Sequence, residues 1–107
     1  MVCYNLFTMD TVRLTLLERK ALKIALGGFQ GQVYVFGSRL DQRQKGGDID
    51  ILLKPARSGR FDKIRSAIES RFADALQQSL DVVVYDDKSV FCREIIKHAR
   101  SIDPTSL

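Results

Sequence analysis

The chain has few of the residues on which several common kinds of site depend. It contains two cysteines and a single histidine. Cys3 and Cys92 lie far apart and form neither a CxxC pair nor another spacing typical of metal ligands. His98 falls in the last amphipathic segment, where we expect a surface or half-buried role. These absences argue against a cysteine-based metal or redox site, and we expect reduced thiols in a cytoplasmic protein.

Long apolar runs and a concentration of one charge are also lacking. No segment approaches the roughly 20 apolar residues that span a bilayer, and residues 1–7 lack the basic and apolar regions of a signal peptide. The net charge of +4 comes from scattered lysines and arginines, and we expect Arg13, Lys20 and Lys23 to form a solvated face. We therefore expect neither membrane association nor direct contact with nucleic acid.

The length allows one hydrophobic core but no separate substrate domain, since the chain has 107 residues. We expect a single domain over residues 1–107. Within it, residues 1–9 are expected either to be disordered or to precede a true start at Met9.

Hydrophobic periodicity predicts three helices and three strands. Thr15 and Glu18 have the hydroxyl and carboxylate spacing of a capping box, and Gly27-Gly28 ends the helix that they begin. β-Branched and aromatic runs predict strands at 32–36, 48–53 and 80–85, and helical spacing predicts helices at 60–78 and 89–100. The predicted fold class is therefore α/β (α+β), a small sheet flanked by helices.

The same periodicity predicts which side chains form the core. On the second strand, Ile49, Ile51 and Leu53 should face the core, and Leu52 should share the opposite face with the carboxylates. The helical positions predicted to be apolar contacts are Leu17, Ala21, Leu22, Ile24 and Ala25 in the first helix, and Ile64, Ile68, Phe72 and Leu76 in the second.

Two carboxylates stand in an unusual place inside the second strand. Asp48 and Asp50 alternate with Ile49 and Ile51, so both point to one face, about 6.6 Å apart along the strand. Carboxylates are depleted in strands and are costly to bury without compensation. A divalent cation compensates such a pair economically, so the pattern predicts a metal site.

A third carboxylate, Asp81, begins the third predicted strand. If the second and third strands are neighbours, Asp81 can join Asp48 and Asp50. Three acids around a small volume should have raised pKa values when no metal is bound. Two Mg²⁺ ions in such a site can clamp the attacking and leaving oxygens of a phosphoryl displacement.

The turn after the first strand has the chemistry of a phosphate site. Glycine at position 37 lets backbone amides approach a phosphate closely, and the hydroxyl of Ser38 can donate to it. Arg39 follows at once, and its planar guanidinium suits phosphate oxygens.

Taken together, these residues resemble the nucleotidyltransferase signature of the DNA polymerase β superfamily. Phe36-Gly37-Ser38, nine further residues and Asp48-Ile49-Asp50-Ile51 follow its pattern of a hydrophobic residue, Gly-Ser, a loop and Asp-x-Asp. Asp81 supplies the downstream acid. The resemblance covers residues 12–100 and is strongest to the minimal nucleotidyltransferases (MNT) of prokaryotes. It implies a small nucleotidyltransferase fold, with a short mixed β-sheet flanked by three to four helices.

The resemblance also implies an activity. Asp48, Asp50 and Asp81 would be catalytic and would bind two Mg²⁺ ions, and Asp81 would also help to activate an acceptor hydroxyl. Gly37, Ser38 and Arg39 would bind a nucleoside triphosphate, with ATP as the expected substrate. The expected reaction is transfer of AMP to a tyrosine of a partner HEPN-domain toxin, in a toxin–antitoxin hetero-oligomer.

The loop departs from the family pattern, which leaves alternatives open. Gly47 stands where family members often have serine, and Asp41 and Gln42 replace an arginine and a glycine, although Arg43 or Lys45 could supply charge. One alternative is an antitoxin that neutralises its partner by occlusion alone. A second is a nucleotidyltransferase that acts on a small molecule, although such enzymes typically carry a further acceptor domain.

Overall fold

In the part of the chain that the structure describes, four strands form one mixed sheet in the order β3-β2-β1-β4, with three α-helices packed around it. The computed structural model describes residues 12–44 and 47–107, so the expectations for residues 1–11, Lys45 and Gly46 lie outside the described residues. The predicted fold class is confirmed. The elements are α1 (Leu16–Ala25), β1 (Gly31–Phe36), a 3₁₀ turn (Gly37–Leu40), β2 (Ile49–Pro55), α2 (Asp62–Leu76), β3 (Leu80–Val84), α3 (Val90–His98), β4 (Arg100–Ile102) and a second 3₁₀ turn (Pro104–Ser106).

The neighbours of β2 decide which residues meet at the end of the sheet. Strand β2 pairs with β1 in the antiparallel direction and with β3 in the parallel direction. A parallel pair needs a crossover connection, and α2 supplies it. The second and third predicted strands are therefore neighbours, which is the condition for Asp81 to join the carboxylates of β2. In the resulting register, Asp50 lies opposite both Phe36 of β1 and Asp81 of β3.

Strand β2 is buried on both faces in its middle, from Ile51 to Leu53. Ile49, Ile51 and Leu53 are fully buried in the main cluster, which the helices α1 and α2 cover, as predicted. Leu52 was predicted to share the carboxylate face, and it is also fully buried. The carboxylate face is therefore open at the end that holds Asp48 and Asp50 and again at the exposed Lys54, with the buried Leu52 between them.

The first helix buries a different stripe from the predicted one. The capping box at Thr15 and Glu18 is present, but Leu17 and Ile24 are 62% and 63% exposed, so their predicted place in the core is wrong. The buried stripe runs instead through Glu18, Ala21, Leu22 and Ala25, at helical spacing. Burial of Glu18 turns the helix so that Leu17 and Ile24 face outward.

The second helix follows its predicted apolar line except at its beginning. Ile68 and Phe72 are fully buried, and Leu76 packs against the core. Ile64 was also predicted as a core contact, but it is 40% exposed and lies beside an open groove in the first turns of α2. Its predicted burial is wrong because the groove leaves that turn of the helix uncovered.

A fourth strand was not predicted. The last helix ends at His98 rather than Arg100, and residues 100–102 then pair with Val33, Tyr34 and Val35 of β1. Three residues are too short to show a strand period, so only the tertiary pairing reveals β4. Over the two ranges that the structure describes, no helix is long and apolar enough to cross a membrane.

Two isoleucines on α2 provide a matched test of this packing. Ile68→Ala should lower the free energy of unfolding by about 2–5 kcal/mol, because it leaves a cavity in the core. Ile64→Ala removes the same atoms one turn away from an exposed position, and we expect a loss of less than about 1 kcal/mol. Urea unfolding measures both. Equal losses would contradict the assignment of Ile68 to the core.

Candidate active site

Asp50 and Asp81 meet across the parallel pair β2 and β3. They occupy the same register position on neighbouring strands, so their carboxyl groups lie close enough for Asp81 to raise the pKa of Asp50. Burial raises the pKa of Asp50 most, followed by the hydrogen bond and charge of Asp81 and then by the charge of Asp48. The predicted rise in pKa is confirmed for Asp50. The structure thus brings two of the three predicted acids into contact and places the third within range of their charge.

The Gly-Ser turn lies directly against this pair. Gly37 has a φ of +80°, which favours glycine, and a β-carbon at this position would lie 2.5 Å from Oδ2 of Asp50. Any larger residue would therefore push against the carboxyl group. The glycine allows the backbone of the 3₁₀ turn and the Asp50 carboxylate to share one small space.

Gly47, the departure from the family pattern, makes room for Ser38. Its φ is +84°, and a β-carbon there would lie 2.9 Å from Oγ of Ser38. A serine at position 47 would force that hydroxyl to move. The glycine thus brings the backbone before Asp48 close to the side chain of the turn.

Arg39 lies away from the carboxylate pair. Its side chain is buried, and Nη1 and Nη2 each donate to one oxygen of the Glu18 carboxylate at 2.7 Å. Nη1 also donates to the carbonyl of Arg13, and Nε and Nη2 donate to the carbonyl of Gly47. These bonds use all five N–H groups of the guanidinium. In this geometry Arg39 has no donor left for a phosphate, so its predicted phosphate contact is not supported.

Glu18 is a residue whose importance the sequence did not indicate. Burial by itself would raise its pKa, but hydrogen bonds from Arg39, from the Gln78 amide and from the backbone of Thr15, together with the charge of Arg39, lower it to about 2. The capping box explained an acid at this position without a distant partner. Nothing in the local pattern pointed to Arg39 or Gln78, which are far away in the chain.

Arg13 holds the outside of the same turn. Its Nη2 donates to the carbonyl of Ser38 at 3.0 Å, and its Nε donates to the carbonyl of Asp41 at 2.7 Å. Its backbone N–H donates to the carbonyl of Arg39. Arg13 was expected on a solvated face, and that prediction is wrong because the turn presents carbonyl oxygens that the guanidinium satisfies.

An apolar cleft opens beside the turn. It has a volume of about 750 Å³, within the range of sites that hold small ligands. Phe36 and Phe91 form its aromatic wall, with ring centroids 6.4 Å apart and planes at 84°. Gly37 belongs to both the cleft and the carboxylate site, so the two are continuous. The remaining lining residues are Leu40, Asp41, Arg43, Glu94, Ile95 and His98.

The donor chemistry of the site suits Mg²⁺, although the carboxylates do not form a closed cage. In residues 12–44 and 47–107, no group of three or more His, Cys, Asp or Glu side chains is arranged to hold a metal ion. The contact between Asp50 and Asp81 nevertheless needs a proton or a cation to relieve it, and carboxylate oxygens are the ligands that Mg²⁺ takes. Asp48 is exposed at the mouth of the site, where it can add a further oxygen.

A glycine turn packed against paired carboxylates at the ends of two strands defines a phosphoryl-transfer domain. Residues 31–104 match the family described as polymerase beta, nucleotidyltransferase. The chain therefore belongs to the polymerase beta nucleotidyltransferase family, and the predicted resemblance is confirmed. A comparison with curated proteins finds no match.

Solved structures with the same fold include several toxin–antitoxin complexes. One contains a tri-AMPylated Shewanella oneidensis HEPN toxin with its MNT antitoxin; the similarity is 26% identity and a TM-score of 0.55, over 80% of this chain and 68% of that one. Another is a toxin–antitoxin structure with AMP-PNP, at 24% identity and a TM-score of 0.58, covering 81% and 72%. A third, MntA–HepT, has 21% identity and a TM-score of 0.56, covering 81% and 70%. Identities this low show a shared fold.

Asp50→Asn should raise the unfolding free energy of the metal-free protein at neutral pH, because burial and Asp81 disfavour the Asp50 charge. Since the folded-state pKa of Asp50 is raised, the wild type gains stability as the pH falls through that pKa, and the difference between the two proteins should shrink. Urea unfolding in EDTA from about pH 7 to about pH 4 measures this dependence. The exposed-site change Asp74→Asn is the control. A variant less stable than the wild type at neutral pH would contradict the prediction.

Proposed function

We propose that this protein is a nucleotidyltransferase antitoxin that transfers AMP from ATP to a tyrosine hydroxyl of a partner HEPN toxin. The observation that carries the proposal is the carboxyl pair of Asp50 and Asp81 packed against the Gly37 turn. Family membership supplies the reaction type. The AMPylated toxin and the bound AMP-PNP in the similar complexes support the nucleotide and the acceptor.

The triphosphate is proposed to bind at the Gly-Ser turn. Gly37 leaves the backbone open to a close approach, and the hydroxyl of Ser38 lies at the mouth of the same site. The side chain of Arg43 is 90% exposed and lines the adjoining cleft, where its Nε pairs with Asp41 at 3.1 Å, so a triphosphate would have to compete with that carboxylate for its charge. The cleft beside Gly37 has room for the part of the nucleotide that extends beyond the phosphates.

The carboxylates are proposed to carry the chemistry. Asp48, Asp50 and Asp81 would hold two Mg²⁺ ions, which would supply charge neutralisation at the phosphate oxygens. The acceptor oxygen forms a bond to the α-phosphorus, the bond to the bridging oxygen breaks, and pyrophosphate leaves. Asp81, which is exposed near the start of β3, would accept the proton of the attacking hydroxyl.

The acceptor is proposed to come from another protein, because the acids stand at an open edge of the sheet. Asp48 and Asp81 are both exposed, and no second domain covers them in the described residues. A hetero-oligomer with the toxin would close the site. The setting we propose is the prokaryotic cytoplasm, which agrees with the free thiol of the buried Cys92.

Label transfer tests the proposal directly. The protein is incubated with labelled ATP, Mg²⁺ and the product of the neighbouring gene, which we propose to be the HEPN partner. The wild type should label the partner, and Asp48→Asn combined with Asp50→Asn should reduce the rate at least about 100-fold, because charge stabilisation at the phosphates is lost. The control Asp74→Asn changes an exposed carboxylate on α2 and should keep the rate. Equal labelling by the wild type and the double variant would exclude these acids as the catalytic groups.

A neutralisation assay separates this proposal from occlusion without chemistry. The altered loop after Gly37-Ser38, in which Asp41 replaces an arginine and every donor of Arg39 is used within the protein, favours occlusion as the second candidate. If occlusion is the mechanism, the double Asp→Asn variant should still protect cells that express the toxin. If catalysis is required, protection should disappear while the two proteins still co-purify.

A further inference from the structure

The buried ion pair of Glu18 and Arg39 connects the segments that build the active site. Glu18 lies in the first turn of α1, and Arg39 lies in the 3₁₀ turn that begins with Gly37. Their two-point contact, with both bonds at 2.7 Å, is inaccessible to solvent. The pair therefore joins the first helix to the Gly-Ser turn.

Each partner also reaches the approach to one catalytic strand. Arg39 donates through Nη2 at 2.7 Å and Nε at 3.1 Å to the carbonyl of Gly47, the residue before Asp48. Glu18 accepts a 2.7 Å bond from the side chain of Gln78, which lies two residues before β3. The ion pair is thus hydrogen-bonded to one residue just before β2 and to one just before β3, the two strands near whose first residues the acids lie.

Stability alone does not explain a pair of this kind. Removing two charges from water costs several kcal/mol per ion, and a well-packed apolar pair of similar volume is often as stable. Here every N–H of Arg39 is used, and Glu18 stays ionised because its pKa is about 2. Unlike an apolar contact, the ion pair is directional, because each of its hydrogen bonds fixes the position of one backbone or side-chain group.

We propose that Glu18 and Arg39 are positioning residues that set the Gly-Ser turn against the strand ends of Asp48 and Asp81. Arg39 acts through the Gly47 carbonyl and does not contact the triphosphate. Glu18 acts through Arg39 and Gln78. This inference rests on the proposed nucleotidyl transfer, and it assigns to Arg39 a role different from the phosphate contact expected from its position after Gly-Ser.

Steady-state kinetics of AMP transfer distinguish the two roles. Glu18→Gln and Arg39→Lys should each lower kcat about 10- to 100-fold, since small displacements of reacting groups have effects of this size. The KM for ATP should change less than about threefold, because no phosphate contact is lost. The double variant should be no slower than the slower single variant, because both changes break one network.

A phosphate contact by Arg39 gives a different result. Arg39→Lys would then raise the KM for ATP at least about tenfold while Glu18→Gln would leave it unchanged, and the two effects would add. That pattern overturns the inference. Asp62→Asn and Arg65→Lys are the matched controls: Asp62 lies in the first turn of α2, as Glu18 does in α1, and both control side chains are exposed.

A milder variant keeps the test valid if a buried substitution unfolds the protein. Gln78→Ala removes one bond to Glu18 from a half-buried position and leaves the ion pair in place. We expect a decrease in kcat of about three- to tenfold with an unchanged melting temperature. An unchanged kcat would contradict the link between Glu18 and β3.

Amide hydrogen exchange supplies a readout that does not need activity. Glu18→Gln should speed exchange at residues 38–41, 47–50 and 80–82, and Asp62→Asn should not. If the wild-type protein transfers no AMP but Glu18→Gln still speeds exchange in these three segments, the proposed function fails and the positioning inference stands. If exchange is unchanged there, the positioning inference fails whether or not transfer occurs.

Discussion

The contact between Glu18 and Arg39 is the interaction on which the geometry of the active-site loops depends. The hydrophobic core fixes where the strands run, but it does not fix the irregular backbone that joins them. That backbone exposes carbonyl oxygens at Arg13 and Gly47, and Arg39 satisfies them while Glu18 neutralises its charge. Arg13 does the same for Ser38 and Asp41 on the outside of the turn. Two guanidinium groups therefore organise a loop that has little regular structure.

The carboxylate site lowers the stability of the fold, and burial of the hydrophobic core compensates for this loss. Asp50 and Asp81 lie side by side, and the pKa of Asp50 is raised first by its burial and then by Asp81. They hold that position because the next residues of β2, from Ile51 to Leu53, are fully buried and cannot shift to separate the acids. The pKa of Glu18 shifts in the opposite direction, to about 2, because its carboxylate accepts hydrogen bonds from Arg39 and Gln78. One acid is thus held ionised as part of the scaffold, while another is left under strain that ligand binding can relieve.

Much of the site could be predicted because its residues form short sequence motifs. Residue types and spacing indicate the Gly37-Ser38 turn, the Asp48-x-Asp50 motif and the strand that begins near Asp81. The parallel pairing of β2 and β3 brings Asp50 and Asp81 together. Arg39 shows the limit of such patterns. An arginine after Gly-Ser suits a phosphate by its chemistry, but its direction depends on Glu18, which lies far away in sequence. The exposed Leu17 and Ile24 have the same cause, because burial of Glu18 sets the rotation of α1.

The sequence by itself determined the order of the elements, the turn, the alternating carboxylates and the family to which they belong, since each depends on neighbours within a few residues. Tertiary structure alone decided the short strand β4, the burial of both faces in the middle of β2, the outward face of α1 and the hydrogen-bond partners of Arg39. These features depend on contacts between residues far apart in the chain, such as Val33 with Ile102 or Glu18 with Gln78. A buried charge or a short strand is stable only when its distant partner is in place, so a local sequence pattern cannot predict it.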